Sequence, residues 1–173
     1  FFKGGFLSFD RFWDTNEATE NSLLFTPEFK FQILDKNINI KTTIDYVSGV
    51  FGIVNPDLIY SYLKTGVHPS LQFTQDHLNI NIGAEFVVGI DTENNKSNIY
   101  VYPKISASYN LIDNTVIVFG GLDGGLSQNS YKNFVEENKF LAPNLFIAPT
   151  HKQFDAFLGF KGNIASLLNY EIK

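Results

Sequence analysis

The sequence predicts an all-β protein: an antiparallel up-and-down transmembrane β-barrel, or a segment of one, with about eight or nine long strands. Three observations support this fold class. Apolar and polar residues alternate over long stretches, tight turns alternate with longer loops, and 16% of the residues are aromatic. Side chains of a strand point alternately to its two faces, so alternation indicates one apolar and one polar face. No run of about 18 apolar residues occurs, which excludes a transmembrane helix but not a barrel.

The clearest alternation lies in DHLNINIGAEFVVGID, residues 76–91. Its apolar face spans about thirteen residues, more than twice the usual strand of roughly 5–6. Strands of about 10–13 residues that rise ~3.3 Å per residue and tilt by about 45° cover ~25–30 Å, which matches the hydrocarbon layer of a bilayer. We therefore expect this face to contact lipid through Leu78, Ile80, Ile82, Phe86, Val88 and Ile90.

The remaining strands follow from the same pattern, taken in chain order. The first ends at Trp13 before a polar loop, the second alternates phenylalanines with polar residues, and the third alternates isoleucines with Asn, Lys, Thr and Asp. The sixth, NIYVYPKISASYNL, alternates apolar residues with tyrosines, serines and a lysine. Besides the strand in residues 76–91, the predicted strands cover residues 4–13, 22–34, 38–50, 60–74, 98–111, 115–126, 153–162 and a last one from about residue 165.

The connections between these strands alternate in length. DKN at 35–37, QDH at 75–77, IDN at 112–114 and a turn near Gly162–Asn163 are short, whereas the other connections are longer and polar. Outer-membrane barrels show this asymmetry, with short periplasmic turns and long external loops. It favours a membrane barrel over the alternative, a soluble antiparallel barrel or sandwich with an inward apolar face.

The polar faces of the strands contain few charges. Glu28, Lys30 and Lys41 lie opposite the apolar residues of their strands, so we expect them to point into a lumen. A charge at the lipid midplane would cost roughly 2–4 kcal/mol, and the pattern avoids that cost. Asp10 and Arg11 are adjacent and must face opposite sides, so one of them lies near an interface or the strand is bulged there.

Composition and motifs argue against several functions. A net charge of −5 and a pI near 5.1 disfavour nucleic-acid binding. Cysteine is absent, and the chain has no H-E-x-x-H or G-x-S-x-G motif, so we expect no enzyme activity, no metal and no cofactor. The three histidines, His68, His77 and His151, lack ligand spacing. Two groups of acidic and amide residues indicate solvated loops: Asp14, Glu17 and Glu20, and Asp91, Glu93, Asn94 and Asn95.

Residues 125–151 form the one long loop that is not a simple hairpin. SYKNFVEEN within it is compatible with a short helix. Loops of this length are usually functional or packed onto something. Two interpretations remain open: the loop packs over the barrel mouth or inner wall, or it presents an apolar surface to a substrate or partner protein. The second would use Tyr131, Phe134, Phe140, Leu141, Leu145, Phe146 and Ile147.

Several segments resemble known outer-membrane proteins. YPKISASY, NSYKNFVEENKFLAP and FIAPTHKQFDAFLGFKG carry the closest likeness, and FDRFWD, TIDYVSG and GVHPSL extend it over most of the chain. This part of the sequence resembles the barrel region of TonB-dependent-receptor-like proteins of Bacteroidota, especially flavobacteria. The resemblance implies a many-stranded barrel of a longer chain in the outer membrane of a diderm bacterium. No energy-coupling box or plug-like segment matches, so TonB coupling is carried over to no residue.

The expected organisation is thus a single β-barrel region over residues 1–173, part of a longer protein; a mature domain with trimmed ends is the alternative. The expected function is transport or binding of a substrate at the cell surface. One alternative is a structural or scaffold barrel subunit of an outer-membrane complex, and another is a soluble β-barrel that binds an apolar ligand. Expected partners are outer-membrane lipid, other outer-membrane proteins or a surface lipoprotein.

Overall fold

The computed structural model describes residues 2–14, 17–33, 36–52, 55–112, 115–141, 145–164 and 168–173. Within them lie nine strands and one short helix, α1 at Tyr131–Glu137. All strands but the last have between 12 and 21 residues, and β9 has 5. In chain order the strands are β1 Phe2–Trp13, β2 Thr19–Ile33, β3 Lys36–Phe51, β4 Asn55–Gln75, β5 Leu78–Asp91, β6 Lys96–Ile112, β7 Val116–Ser127, β8 Thr150–Ile164 and β9 Leu168–Ile172.

The nine strands form one antiparallel sheet in which each strand pairs with its neighbours in sequence, from β1 to β9. The predictions of an all-β chain and of an up-and-down order of about nine strands are therefore confirmed. The sheet is not closed, since β1 and β9 are its two edges. The single described helix, with 7 residues, is too short to cross a bilayer.

Strand boundaries differ from the predicted ones mainly by extension into the loops. Gly162 and Asn163, predicted as a turn, belong to β8 and pair with β9, so that prediction is wrong; the connection itself falls at 165–167, outside the described residues. The predicted long loop at 125–151 is shorter, because β7 continues to Ser127 and β8 begins at Thr150. We call residues 128–149 the β7–β8 segment. The other connections are short, so the expected alternation of long and short loops is weaker than predicted.

The sheet curves towards one of its faces. In a flat sheet, strands separated by one neighbour lie roughly 9.5 Å apart, yet Cα atoms of β5 and β7 come within 8 Å of each other. On the inner side of this curve, the ring of His151 on β8 lies 4.9 Å from the ring of Tyr100 on β6. We call the face that carries Tyr100 and His151 the concave face, and the opposite one the convex face.

The convex face is apolar and exposed. Strand register places apolar side chains directly opposite one another across seven strands, and many of the large ones are exposed. One continuous row, from β2 to β8, consists of Phe31, Ile38, Leu71, Ile82, Ile105, Leu122 and Ala156. The six residues expected to face lipid, from Leu78 to Ile90, all lie on this face, with Ile82 47% and Phe86 49% exposed. The contact with lipid itself stays a prediction.

Charges on the convex face lie near strand ends. The charged residues among the described side chains of this face are Arg11, Lys36 and Lys152. Lys152 is the third residue of β8, beside the bulge that shifts the β7–β8 register between Asp123 and Gly125. Arg11 is close to the end of β1, and Lys36 is the first residue of β3. Asp10, on the concave face, pairs with Lys132. Asp10 thus faces the concave side, and Arg11 lies on the convex side close to the strand end, which is one of the two arrangements that the sequence allowed.

Candidate functional site: the concave face and the β7–β8 segment

A buried carboxylate organises one end of the concave face. Glu20 on β2, Gly49 on β3 and Tyr60 on β4 stand directly opposite one another. The Tyr60 hydroxyl donates to Glu20 Oε2 at 2.5 Å, across the intervening strand. This is feasible because Gly49 has no side chain: a Cβ there would lie 2.2 Å from the Tyr60 hydroxyl oxygen. The glycine thus leaves room for the tyrosine ring to cross over β3.

The same carboxylate receives the β7–β8 segment. Ser130 Oγ donates to Glu20 Oε1 at 2.6 Å, and the backbone N–H of Tyr131 donates to Glu20 Oε2 at 2.7 Å. Glu20 is 2% exposed, so it depends on these three donors to compensate for the loss of water. The carboxylate therefore joins three parts of the chain that are far apart in sequence.

The helix α1 begins where this contact is made. Ser130 is its N-cap and accepts a hydrogen bond from the Asn133 N–H at 3.3 Å, as serine commonly does at a helix start. Lys132 forms an ion pair with Asp10 of β1, which raises the pKa of the lysine. The Tyr131 hydroxyl donates to Asp14 Oδ2 at 2.9 Å. Burial, and then this hydrogen bond, raise the pKa of Tyr131 to about 12. The predicted short helix is confirmed.

An apolar cluster surrounds the carboxylate. Tyr131 and Ile147 of the β7–β8 segment are each 1% exposed and pack against Val47, Phe51 and Tyr60 of the sheet. The Tyr131 ring meets the Phe51 ring edge-on, with centroids 4.9 Å apart. This is the larger of the two buried clusters among the described residues, and it exists because the segment folds inward over β1–β4.

Charged side chains continue across the middle of the concave face. Glu28, Lys41, His68 and Glu85 stand opposite one another on β2 to β5. Lys104 on β6 then bridges two carboxylates, with its Nζ 3.3 Å from Glu85 Oε2 and 2.6 Å from Asp123 Oδ1. Positive and negative groups therefore alternate along the wall instead of forming a surface of one sign.

Beyond this row the wall is mostly uncharged and polar, and Lys161 is the charged residue that borders its first cavity. A cavity of about 290 Å³ is bordered there by amide and hydroxyl side chains together with two aromatic rings, and an adjoining one of about 220 Å³ reaches His68 and Asp123. The Nε2 atom of His68 is buried without a hydrogen-bond partner in the described part of the chain. The first cavity is lined on the concave side by Gln72, Asn79, Asn81, Ser106, Ser108, Phe119, Phe157 and Lys161. Such a lining can bind water or a neutral polar solute.

The loop residues expected to contact a substrate or partner separate into two groups. Tyr131 and Ile147 are buried, and Phe134, Leu141 and Leu145 pack against the same cluster. Phe140 and Phe146 are 96% and 76% exposed. Five of the seven thus belong to the protein's own buried cluster, and two remain available for an external contact.

One sequence-based assignment is wrong. Glu20 was expected in a solvated loop with Asp14 and Glu17, but it lies in β2 and is buried. Asp14 accepts from the Ala18 N–H as well as from Tyr131, while Glu17 is exposed at the turn. Extending the predicted alternation of β2 back from residue 22 puts Glu20 on the polar face, and Gly49 within a strand signals a close approach. Neither feature identifies which element approaches.

The second group of acidic and amide residues forms an ordinary turn, and the three histidines lie apart from one another. Asp91 accepts from the backbone N–H and side chain of Asn94, at 3.0 and 2.7 Å, and from the Tyr62 hydroxyl at 2.9 Å. His68, His77 and His151 lie on β4, in the β4–β5 turn and on β8, respectively. Across the described residues, no group of three or more His, Asp or Glu side chains is placed to hold a metal ion.

Comparison with known proteins adds no relative: no family model, no curated protein and no solved structure matches this chain.

Proposed function

We propose that this chain forms a curved part of a transmembrane β-barrel wall in a bacterial outer membrane. The convex face contacts lipid, and the concave face borders a water-filled lumen. The role that fits this placement is passage or binding of a solute at the cell surface, in the manner of TonB-dependent-receptor-like barrels, without bond-making chemistry. The observation that carries the proposal is the sidedness of the sheet: large exposed apolar side chains cover its convex face, while its charges lie on the concave face or near strand ends.

The size of the apolar face supports this proposal. Soluble monomers rarely expose contiguous apolar patches larger than a few hundred Å². Here a single row of apolar residues already crosses seven strands. Aromatic side chains near both ends of the strands, such as Trp13 at the end of β1 and Tyr109 towards the end of β6, fit the interfacial belts of membrane proteins.

The open edges of the sheet belong to the same proposal. Lipid offers no hydrogen bonds to backbone groups, so a spanning sheet cannot leave an edge unpaired in the hydrocarbon layer. In a membrane, β1 and β9 would pair with further strands of the barrel. The soluble alternative, with an apolar ligand inside, needs the face from Leu78 to Ile90 to line the interior, but that face is convex here.

A scaffold barrel that conducts nothing remains the second candidate. It is favoured by one observation, the occupation of the concave face by the β7–β8 segment. The two candidates share the membrane placement and differ in whether a solute passes the segment.

Neighbouring residues of β5 offer a sharp test of the membrane placement. In two variants, Ile82→Cys on the convex face and Asn81→Cys on the concave face, the unique thiol carries an environment-sensitive fluorophore; the natural chain has no cysteine. In vesicles reconstituted with the complete barrel of which this chain is proposed to be a part, with any cysteine elsewhere replaced by serine, we expect nitroxide-labelled lipids to quench the label at 82 and aqueous iodide to quench the label at 81. Iodide quenching of both labels, in a protein that stays dissolved without detergent, would refute the proposal.

A further inference from the structure

We infer that the β7–β8 segment is an inner strap that rests docked on the concave wall and narrows the lumen at this end, and that Glu20 is the contact that holds it there. This inference depends on the proposed barrel, since a strap has a passage to narrow only if the concave face borders a lumen. It concerns the described residues of the segment, 128–141 and 145–149.

The first argument is the arrangement of donors around Glu20. Two of its three hydrogen bonds come from the segment, at Ser130 and Tyr131, and the third comes from Tyr60 of the wall. A carboxylate at 2% exposure that lost the two segment donors would keep a single partner. The Glu20 carboxylate is therefore stable when the segment is docked or when water molecules replace the two segment donors. It is not stable when both the segment and water are absent.

The second argument is that the remaining anchors are distributed over the wall. Lys132 contacts Asp10 of β1, and the Tyr131 hydroxyl contacts Asp14 just beyond β1. At the base of the segment, Asn129 Nδ2 donates to the Ala148 carbonyl oxygen at 2.6 Å and to Thr150 Oγ1 at 3.0 Å. The base is thus tied to β8 while the helix reaches β1 and β2 on the other side of the curve. The segment spans the concave face as a cross-link between distant strands.

The third argument is the burial of apolar side chains between the segment and the wall. If the segment left the wall, Val47 and Phe51, now 1% and 0% exposed, would face the lumen, and Tyr131 and Ile147 would enter water. Exposure of these four side chains opposes release, so the docked form is the resting form. Because two hydrogen bonds of the segment and that of the Tyr60 hydroxyl meet at Glu20, a change at Glu20 affects the wall side and the segment side together.

Thiol accessibility measures docking directly. Val135 packs partly buried against the cluster, and Phe140 of the same segment is 96% exposed. We would follow labelling of Val135→Cys by a bulky maleimide in vesicles, with Phe140→Cys as the fully accessible reference. With Glu20 present, we expect labelling at 135 to be at least tenfold slower than at 140. With Glu20→Ala or Glu20→Gln, it should rise by a similar factor.

Glu28→Gln is the matched control, because Glu28 lies on the same strand and the same face but contacts Lys3 of β1 instead of the segment. It should leave the labelling rate at 135 unchanged. Equal labelling at 135 and 140 with Glu20 present, or no acceleration when Glu20 is replaced, would overturn the inference.

A second measurement covers the case in which Glu20 variants do not fold. In Asp10→Cys/Lys132→Cys, a short thiol-to-thiol cross-linker should join β1 to the segment in nearly every molecule, and a failure to cross-link contradicts docking. The label at residue 82, read in the same vesicles, separates the two proposals. If lipid does not quench the label at residue 82, the proposed membrane placement is wrong, whatever the labelling of the segment shows. If lipid quenches that label but the segment is not docked, the membrane placement stands and only the inference about the segment is wrong.

Discussion

At the residue scale, the best-defined feature is the row Glu20–Gly49–Tyr60. Each position depends on the other two: the glycine gives the tyrosine room to cross β3, and the tyrosine hydroxyl supplies one of the donors of the buried carboxylate. A charged residue this deeply buried is rare unless it is paired or fully hydrogen-bonded. Its value lies in specifying one position for the β7–β8 segment more than in added stability.

The variant Gly49→Ala tests this arrangement. A methyl group would lie about where the Tyr60 hydroxyl is now, so the ring must move and its hydrogen bond to Glu20 breaks. Overpacking of this kind typically costs about 1–3 kcal/mol. We expect a loss of stability in that range in urea titrations and faster labelling at Val135→Cys. Gly4→Ala is the control, because a Cβ at Gly4 meets no atom within 4 Å; an equal effect of the two variants would contradict the role given to Gly49.

At the element scale, β7, α1 and β8 show how a loop becomes part of the interior. The N-cap at Ser130 starts the helix, and the same hydroxyl reaches Glu20, so helix start and docking depend on one side chain. A helix of 7 residues is too short to be stable alone in water. Packing against Phe51 and Tyr60 therefore maintains it.

The ionisation of Tyr131 reports this docking. Its pKa is about 12 in the folded chain because it is buried and donates to Asp14, compared with roughly 10 for a free tyrosine. Because the pKa is higher in the docked form, docking is stabilised while the Tyr131 hydroxyl is neutral. This stabilisation is fully present below about pH 10 and is lost as the pH rises through about 12. The Lys132–Asp10 pair, which raises the pKa of Lys132, weakens in the same direction.

The measurement is the absorbance of tyrosinate as a function of pH, taken as the difference between the natural chain and Tyr131→Phe. We expect a midpoint near pH 12, and a midpoint that falls towards 10 in the Glu20→Ala background. A midpoint near 10 with Glu20 in place would mean that Tyr131 is not buried by the wall. Circular dichroism at each pH controls for loss of the sheet.

At the scale of the whole molecule, the two faces of the sheet have opposite chemistry. Charges on the concave face are arranged in opposite-sign contacts, such as Lys104 with Glu85 and Asp123, so the wall has little net field of its own. The convex face offers no partner to a charge in the middle of a strand. A charge introduced there would have to be solvated by lipid.

Adjacent residues of β3 test this difference. Ile44, on the convex face, and Thr43, on the concave face, both lie near the middle of a 16-residue strand. We expect Ile44→Arg to lower the stability of the protein folded in vesicles by roughly 2–4 kcal/mol, and Thr43→Arg to change it by less than about 1 kcal/mol. The measurement is reversible urea unfolding from lipid vesicles. Equal effects, or a larger effect at residue 43, would argue against lipid contact of the convex face.

Local sequence patterns were enough to predict the number of strands, their order and the two faces, although not every strand boundary. Period-two alternation is local, so residues 78–90 show their apolar face without knowledge of any partner strand, and short turns make sequential strands neighbours. The helix at 131–137 was foreseeable for the same reason. The serine at 130 and the residues that follow it are a local signal.

The position of the β7–β8 segment and the role of Glu20, by contrast, depend on contacts between distant parts of the chain. The segment and Glu20 are about 110 positions apart in the chain, as the contact from Ser130 shows. No local sequence pattern predicts this contact, because it depends on how strongly the nine strands of the sheet curve. In the curved sheet, Ser130 and Tyr131 lie within hydrogen-bond distance of Glu20 on β2. A glutamate that the sequence predicts to be solvated is therefore a buried acceptor.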